Sequence, residues 1–274
     1  MQLCSGDDFG VSQPTISRVI WQTITALTAP RVFHQFVKFP LTRQEVQRKQ
    51  VEFMAIAGFP GVVCVIDGIH VRIVAPKDDE YAYVNRKRYH SINVQVVFDA
   101  TYKILDIVAK WPGSVHDARI LDESGLKMLF EDNYVPQPCH LLGDSGYSFK
   151  QWLLTPYTNR QLAAPQANYN RAHKRMRSVV ERGIGQWKRR FHILHSEVRV
   201  APDKVCKVIY ACAILHNFCK NRGIPLPDAD DCDDGAEEVE DDEAAPYHAA
   251  AGPVARGVQA RRDHFAYVHF NVDE

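Results

Sequence analysis

Asp67, Asp144 and Glu181 are the residues whose settings suit chemistry. Asp67 ends a run of β-formers in VVCVIDGIHV, and Asp144 closes a short apolar stretch in HLLGDSGY. Glu181 lies 37 residues further on, in the basic segment SVVERGIGQWKRRF. Two carboxylates on strands and one on a helix supply the hard oxygen ligands for one or two divalent cations, which activate water and stabilise the leaving oxygen in phosphoryl transfer. The chemistry expected is therefore metal-dependent cleavage of phosphodiesters, as in an enzyme that cuts or joins DNA, with Mg²⁺ or Mn²⁺ as cofactor. Taken singly, each acid has a plainer use: Asp in an I-D-G turn is a turn former, and Glu181 can pair with Arg177 or Arg182 across solvent. Strand, acid and glycine occurring twice, then an acid on a helix, tips the balance toward the metal.

These residues need elements to hold them. Val62 to Val74 reads as a buried strand, Ile92 to Phe98 as an alternating one, and Ile104 to Val108 follows a polar turn, giving three antiparallel strands. A helix is expected to start in WPGSVHDARILDESGLKMLF, then a strand at HLLGD, a long helix from about 168 to 192, and a core helix from Asp203 to Lys220. Along the long helix, Arg177, Glu181 and Lys188 recur at i, i+4 and i+11, which sets cations on the carboxylate's face near substrate phosphates. Upstream, FGVSQPTISRVIWQTI reads as a capped helix with Ser12 as N-cap and Pro14 in its first turn. It fits the second half of a helix-turn-helix, whose exposed Gln13, Thr15, Ser17 and Arg18 would meet DNA; an ordinary amphipathic helix is the equal alternative.

Composition bounds the partners. The 274 residues are 46% hydrophobic, enough for one principal domain with a full core. No apolar run approaches the roughly 20 residues that cross a bilayer. The N-terminus has no basic start and apolar core of a signal peptide, so an intracellular setting is expected. Seven cysteines without a C-x-x-C pair read as reduced, and Cys206, Cys212 and Cys219 read as core of one helix. Formal charge is zero, but Asp228 to Glu243 holds eleven acids and no Lys or Arg, leaving 33 basic and 22 acidic residues elsewhere. A basic body points to a polyanion such as DNA. The acidic run reads as a solvated tail, with competition against DNA for the basic face as the sharper alternative.

Four further residues are candidates. Ser114 and Asp117 fit the S-x-x-D form of a capping box, and that is the favoured reading of Asp117 over a second catalytic acid. His116 competes with Asp117 for that second catalytic place. Arg86 and Lys87, with Asn85 before them, are either a polar loop or phosphate contacts at the mouth of the site; Tyr81, Tyr83 and Tyr89 are interleaved with them. A zinc set of His70, His116 and Asp117 lacks compact ligand spacing.

The set IDGIHV, YVNRKRYHSINVQVV, WPGSVHDARIL, LLGDSGY, HKRMRSVVERGIGQWKRRF and CAILHNF resembles the DDE endonuclease domain of the PIF/Harbinger transposase superfamily, in particular the animal Harbinger-derived nucleases, from about residue 10 to about 222. The resemblance implies an α/β fold of the ribonuclease H-like kind, a mixed sheet flanked by helices, with Asp67, Asp144 and Glu181 as the metal-binding triad and His116 near the metal as a hydrogen-bond donor or proton carrier. It also implies a preceding helix-turn-helix, here partial, a separate Myb-like DNA-binding partner and nuclear residence. The organisation expected is 1–58 as a helical segment, 59–222 as the endonuclease domain and 223–274 as an acidic, disordered tail. The runner-up is a catalytically silent, domesticated DNA-binding or adaptor protein.

Overall fold

The structure, a computed structural model, describes residues 10–227 and 256–271. Three helices come first: α1 (Gln13–Leu27), α2 (Pro30–Phe36) and α3 (Arg43–Ala57). Thr42 starts α3 through a capping box: its hydroxyl accepts from Glu45 N at 3.3 Å, and Glu45 accepts from Thr42 N at 3.1 Å. Gly58 ends the helix at φ 65°, a left-handed position that suits glycine.

The chain then builds a mixed five-stranded sheet. Its strands are β1 (Val62–Arg72), β2 (Ser91–Phe98), β3 (Ile104–Pro112), β4 (His140–Leu142) and β5 (Leu153–Leu154), in the order β3-β2-β1-β4-β5. β1–β2 and β2–β3 are antiparallel, whereas β1–β4 and β4–β5 are parallel. Between them lie the short helices α4 (Glu80–Tyr83), α5 (Asp117–Asp122) and α6 (Gly125–Glu131), followed by the long α7 (Ala164–Arg190), α8 (Pro202–Asn221) and α9 (Arg256–Phe270). Both faces of β1 and β2 are covered: β1 is buried and apolar from Val62 to Ile66, and every β2 residue is buried, Ser91, Asn93 and Gln95 included. Val65, Ile69, Val96 and Phe98 pack under Met176, Val179, Val180 and Trp187 of α7; Ile66, Val97 and Leu141 pack under Leu121, Leu126 and Phe130 of α5 and α6. A mixed sheet with helices on both faces is the ribonuclease H-like arrangement expected.

Two buried polar devices lock the helices to the sheet. Asn217 on α8 donates to Phe36 O at 2.9 Å and Ile104 O at 2.7 Å, and accepts from Ile104 N at 2.9 Å. One amide thereby joins α2, β3 and α8, which gives the H-N pair of CAILHNF an architectural use. Lys49 on α3 donates to Asp99 at 2.7 Å, with both side chains within 9% of full burial, while Asp99 Oδ1 accepts from Thr101 N and Lys103 N to shape the β2–β3 turn.

Three expectations differ from the structure. The helix starting in WPGSVHDARIL is two, α5 and α6, separated where the Ser124 hydroxyl donates to Leu121 O and breaks the continuing ladder. Strand β5, two residues long, is too short to show a pattern. Of the stretch 223–274 taken as a disordered tail, residues 256–270 form α9, which docks on α7 through an apolar edge: Ala266 and Phe270 are buried, and Phe270 lies 5.0 Å from the Phe59 ring. The acidic run lies outside the described residues. So do residues 1–9, where the first helix of a helix-turn-helix would fall; α1 itself packs on α8.

Breaking the Lys49–Asp99 pair leaves a buried charge unpaired, which costs roughly 3–5 kcal/mol. Lys49→Met is expected to lower unfolding free energy by about 3 kcal/mol in urea titrations. Arg119→Gln, at an exposed pair with Glu123, is expected to change it by less than about 0.5 kcal/mol.

Candidate active site

The register of two parallel strands places the first two acids. Val65 of β1 lies opposite Leu142 of β4. Asp67 and Asp144 each lie two residues beyond that pair, so they come level with one another where β4 has ended and β1 runs on to Arg72. Both Val65 and Leu142 belong to the core beneath α7. Asp67 therefore faces the same helix, since side chains two apart on a strand share a face. Asp144 turns out of the strand and its Oδ1 accepts from Gly146 N at 2.9 Å.

Asp117 reaches the same place from the opposite face. Gly68 points that way, and a Cβ built on it would lie 2.4 Å from Asp117 Oδ1, so the carboxylate rests on bare backbone. Asn93, on the β2 face that Gly68 shares, donates to Asp117 Oδ1 at 2.8 Å and to Val115 O at 2.8 Å. The capping box expected of Ser114 and Asp117 does not form: His116 is the N-cap of α5, and no side chain caps the helix. The S-x-x-D spacing did mark a helix start, Asp117 being the first residue of α5, but its carboxylate is held by Asn93 inside the fold in place of a cap. Gly68 beside the first acid was the available signal.

Buried near other carboxylates, Asp67 and Asp117 both bind a proton more tightly than usual. Burial pushes Asp67 up to about 6, with Asp144 and Asp117 adding to the rise and Arg177 opposing it. Burial also raises Asp117, against the hydrogen bond from Asn93. Tyr147, buried beside them, has its phenol pushed up by burial and by all three carboxylates, and its hydroxyl has no partner among the described residues. Arg177 on α7 donates from Nη2 to Asp67 Oδ2 at 2.9 Å. Glu181 is one turn further along α7 and exposed, near enough to stabilise the Arg177 charge. Hard oxygen donors that repel one another suit a divalent cation chemically. Among the described residues, however, no three His, Cys, Asp or Glu side chains stand together closely enough to ligate one as placed.

A family described as DDE superfamily endonuclease matches residues 66–217, a span that opens one residue before Asp67 and takes in Asp117, Asp144 and Glu181. The chain belongs to that family. The proteins named "Putative nuclease HARBI1" from Mus musculus and Homo sapiens are 38% and 35% identical to it over 224 residues, covering 81% of this chain and 63% of each relative. "Protein ALP1-like" from Arabidopsis thaliana is 28% identical over 229 residues, covering 78% of this chain and 55% of that protein. The chain thus spans less than two thirds of the length of these relatives. No solved structure matches it.

The family's matched region does not gather every residue singled out. Arg86 is exposed yet close enough to counter the Asp117 charge. Asn85 is buried and organises the loop, donating to Ser91 Oγ and accepting from Lys87 N and Tyr89 N, which leaves the Arg86 and Lys87 side chains exposed. His116 is exposed next to Asp117. His70 shares a hydrogen bond of 3.0 Å with Ser91 Oγ. Lys188 lies along α7 near His195, whose imidazole it helps to hold below the usual histidine range after burial. Gln13, Thr15, Ser17 and Arg18 are on α1, an element that joins the α8 side and none of the carboxylates. Asp117 as a member of the cluster was the less favoured of two readings, and Arg177 as the partner of Asp67 was missed by spacing alone.

Gly68→Ala is expected to lower stability by about 1–3 kcal/mol, the usual cost of overpacking. Adding Asp117→Ala should recover most of that loss, and urea unfolding of the two single variants and the double variant measures the coupling.

Proposed function

We propose that this protein is a divalent-metal-dependent nuclease derived from a Harbinger transposase, cleaving DNA phosphodiester bonds at the Asp67, Asp144 and Glu181 carboxylates, with Asp117 as a fourth. The observation that carries this reading is the level placement of Asp67, mid-strand on β1, and Asp144, just past the end of the parallel β4, with Asp117 folded against Gly68 beside Asp67. The relatives' printed names and the endonuclease family support it. Mg²⁺ or Mn²⁺ held by these carboxylates would supply an activated water and neutralise charge on the leaving oxygen. The chain's own contributions are separate. Asn93 fixes Asp117, and the Gly146 amide fixes Asp144, so neither carboxylate has to be ordered on binding. Exposed Arg86 and Lys87 meet phosphates at the mouth, and the unpartnered Tyr147 hydroxyl has a hydrogen bond to give. His116 at the rim is placed to carry a proton.

DNA as substrate, a Myb-like protein as partner and nuclear residence rest on the family likeness. No described helix is long and apolar enough to cross a membrane. The Arg177–Asp67 ion pair and the exposure of Glu181 favour one alternative, a silent DNA-binding adaptor.

Labelled duplex DNA incubated with the protein and Mn²⁺ or Mg²⁺ separates the two. Cleavage is expected, falling by at least about a hundredfold in Asp144→Asn and in Glu181→Gln, since a bound metal contributes several kcal/mol. DNA binding without cleavage, unchanged in both variants, would leave the adaptor.

The pH dependence has a definite sign. Asp67 binds a proton more tightly in the folded chain, at about 6, than at its ordinary 3.8. Its contribution to metal-free stability is therefore full below about pH 4 and is lost as pH rises through about 6. A cation needs the ionised form, so Mn²⁺ should raise the melting temperature clearly at pH 7 and little at pH 5. Equal shifts at both pH values would remove Asp67 from the ligand set.

A further inference from the structure

The Arg177–Asp67 contact is built unlike a permanent ion pair. The strongest arginine–carboxylate pairs are frequently bidentate, two parallel N–H donors on two oxygens. Here one nitrogen, Nη2, meets one oxygen, Asp67 Oδ2, at 2.9 Å, and Oδ1 is taken instead by Gly68 N at 3.0 Å. The guanidinium Nε is buried with no acceptor among the described residues. The side chains are 31% and 14% exposed, so solvent reaches the pair from the arginine side. Burial lowers the proton affinity of Arg177, but Asp67, Asp144 and Glu181 together outweigh it and hold it above the usual arginine value. One cation is thus bonded to Asp67 and attracted by Asp144 and Glu181, the same three acids that would hold a divalent ion.

We propose that Arg177 is the resident counter-ion of the metal-free site: a divalent cation has to displace its guanidinium from Asp67 to bind. This rests on the metal reading given above and adds a regulation to it. While the pair is closed, Asp67 is turned toward α7 and engaged. The affinity for metal is then the intrinsic affinity reduced by the fraction of molecules in which the pair is open. The arrangement keeps repelling carboxylates folded in the absence of metal and sets the metal concentration at which the site loads.

Mn²⁺ binding to the full chain without DNA, followed by calorimetric titration, tests this in wild type, Arg177→Gln, Arg177→Lys and Arg175→Gln. Arg175 is exposed on the same helix and takes no part in the site, so it reports the effect of losing a nearby charge. Arg177→Gln is expected to bind Mn²⁺ about tenfold more tightly than wild type, the equivalent of one hydrogen bond to a charged group. It should also melt lower than wild type without metal and gain more on adding Mn²⁺. Arg177→Lys, which keeps the charge but loses the planar fork, should bind with intermediate affinity. Arg175→Gln should stay within about twofold of wild type, because exposed charges are well screened. Arg177→Gln binding no more tightly than Arg175→Gln would overturn the displacement while leaving the metal reading in place. Should Arg177→Gln not fold, a wild-type affinity in Arg177→Lys overturns it equally. Failure of every protein, wild type included, to bind Mn²⁺ would overturn both.

Discussion

Parallel pairing of Cys64 with Leu141 and Val65 with Leu142 sets the whole site. A one-residue slip of β4 would send its side chains to the other face and separate Asp144 from Asp67, because strand side chains alternate. The register is secured by burial on both sides: Val65 and Leu142 beneath α7, Cys64 and Leu141 beneath α5 and α6. Sheet order adds a second constraint. β1 has an antiparallel neighbour on one side and a parallel one on the other, so the chain leaves β4 beside the middle of β1, not at its end. The crevice opened there is where open mixed sheets bind ligands. Asp67 can thus sit mid-strand, backed by the β2 ladder, and still face a gap.

That placement creates the difficulty which the surrounding residues resolve. Carboxylates in a poorly solvated site lose hydration and repel one another, so each is answered by a particular donor. Asp144 has the Gly146 amide, Asp117 has Asn93, and Asp67 has the Gly68 amide and Arg177. Gly68 serves twice: its amide holds Asp67, and its missing side chain admits Asp117. The Lys49–Asp99 pair shows the other outcome, a buried charge answered by a full ammonium at 2.7 Å and given a purely architectural use. Partner number separates the two cases. Asp99 accepts from the Lys49 ammonium, the Thr101 amide and hydroxyl and the Lys103 amide, whereas each acid at the crevice has one or two donors.

Much of this was legible in residue order. The apolar run before Asp67, the alternating β2 and the long basic helix declared themselves because period and burial coincide in them. Hidden were features that depend on what a residue meets across the fold. Asp117 carries a helix-start spacing and goes inward because Asn93 and a glycine await it 24 and 49 positions upstream. Arg177 looks like a phosphate contact from its helix face, and only the packing of α7 on β1 gives it Asp67. Helix α9 follows an acidic run that dominates the composition of its region, so an apolar edge of a few residues was masked. In CAILHNF, His216 and Asn217 tie α8 to the β2–β3 turn, β3 and α2, a use that residue order alone does not show.

Glu181 is the acid least committed by the fold, and the packing of α7 limits what it can do. Two residues beyond it, Gly183 lies against Phe98 so closely that a Cβ there would be 2.9 Å from the ring. This contact, with Val179, Val180 and Trp187 fully buried on either side, fixes the height and rotation of the helix over β1 and β2. The backbone at Glu181 is therefore as well placed as that of Asp67; the freedom left is in its three side-chain torsions. A carboxylate reaching from a fixed helix to a fixed crevice has only rotamer entropy to lose, about 1–2 kcal/mol. That is small against several kcal/mol of metal binding. Exposure of Glu181 is thus compatible with a ligand that closes on its cation once the Arg177 guanidinium, one turn away on the same helix, has withdrawn.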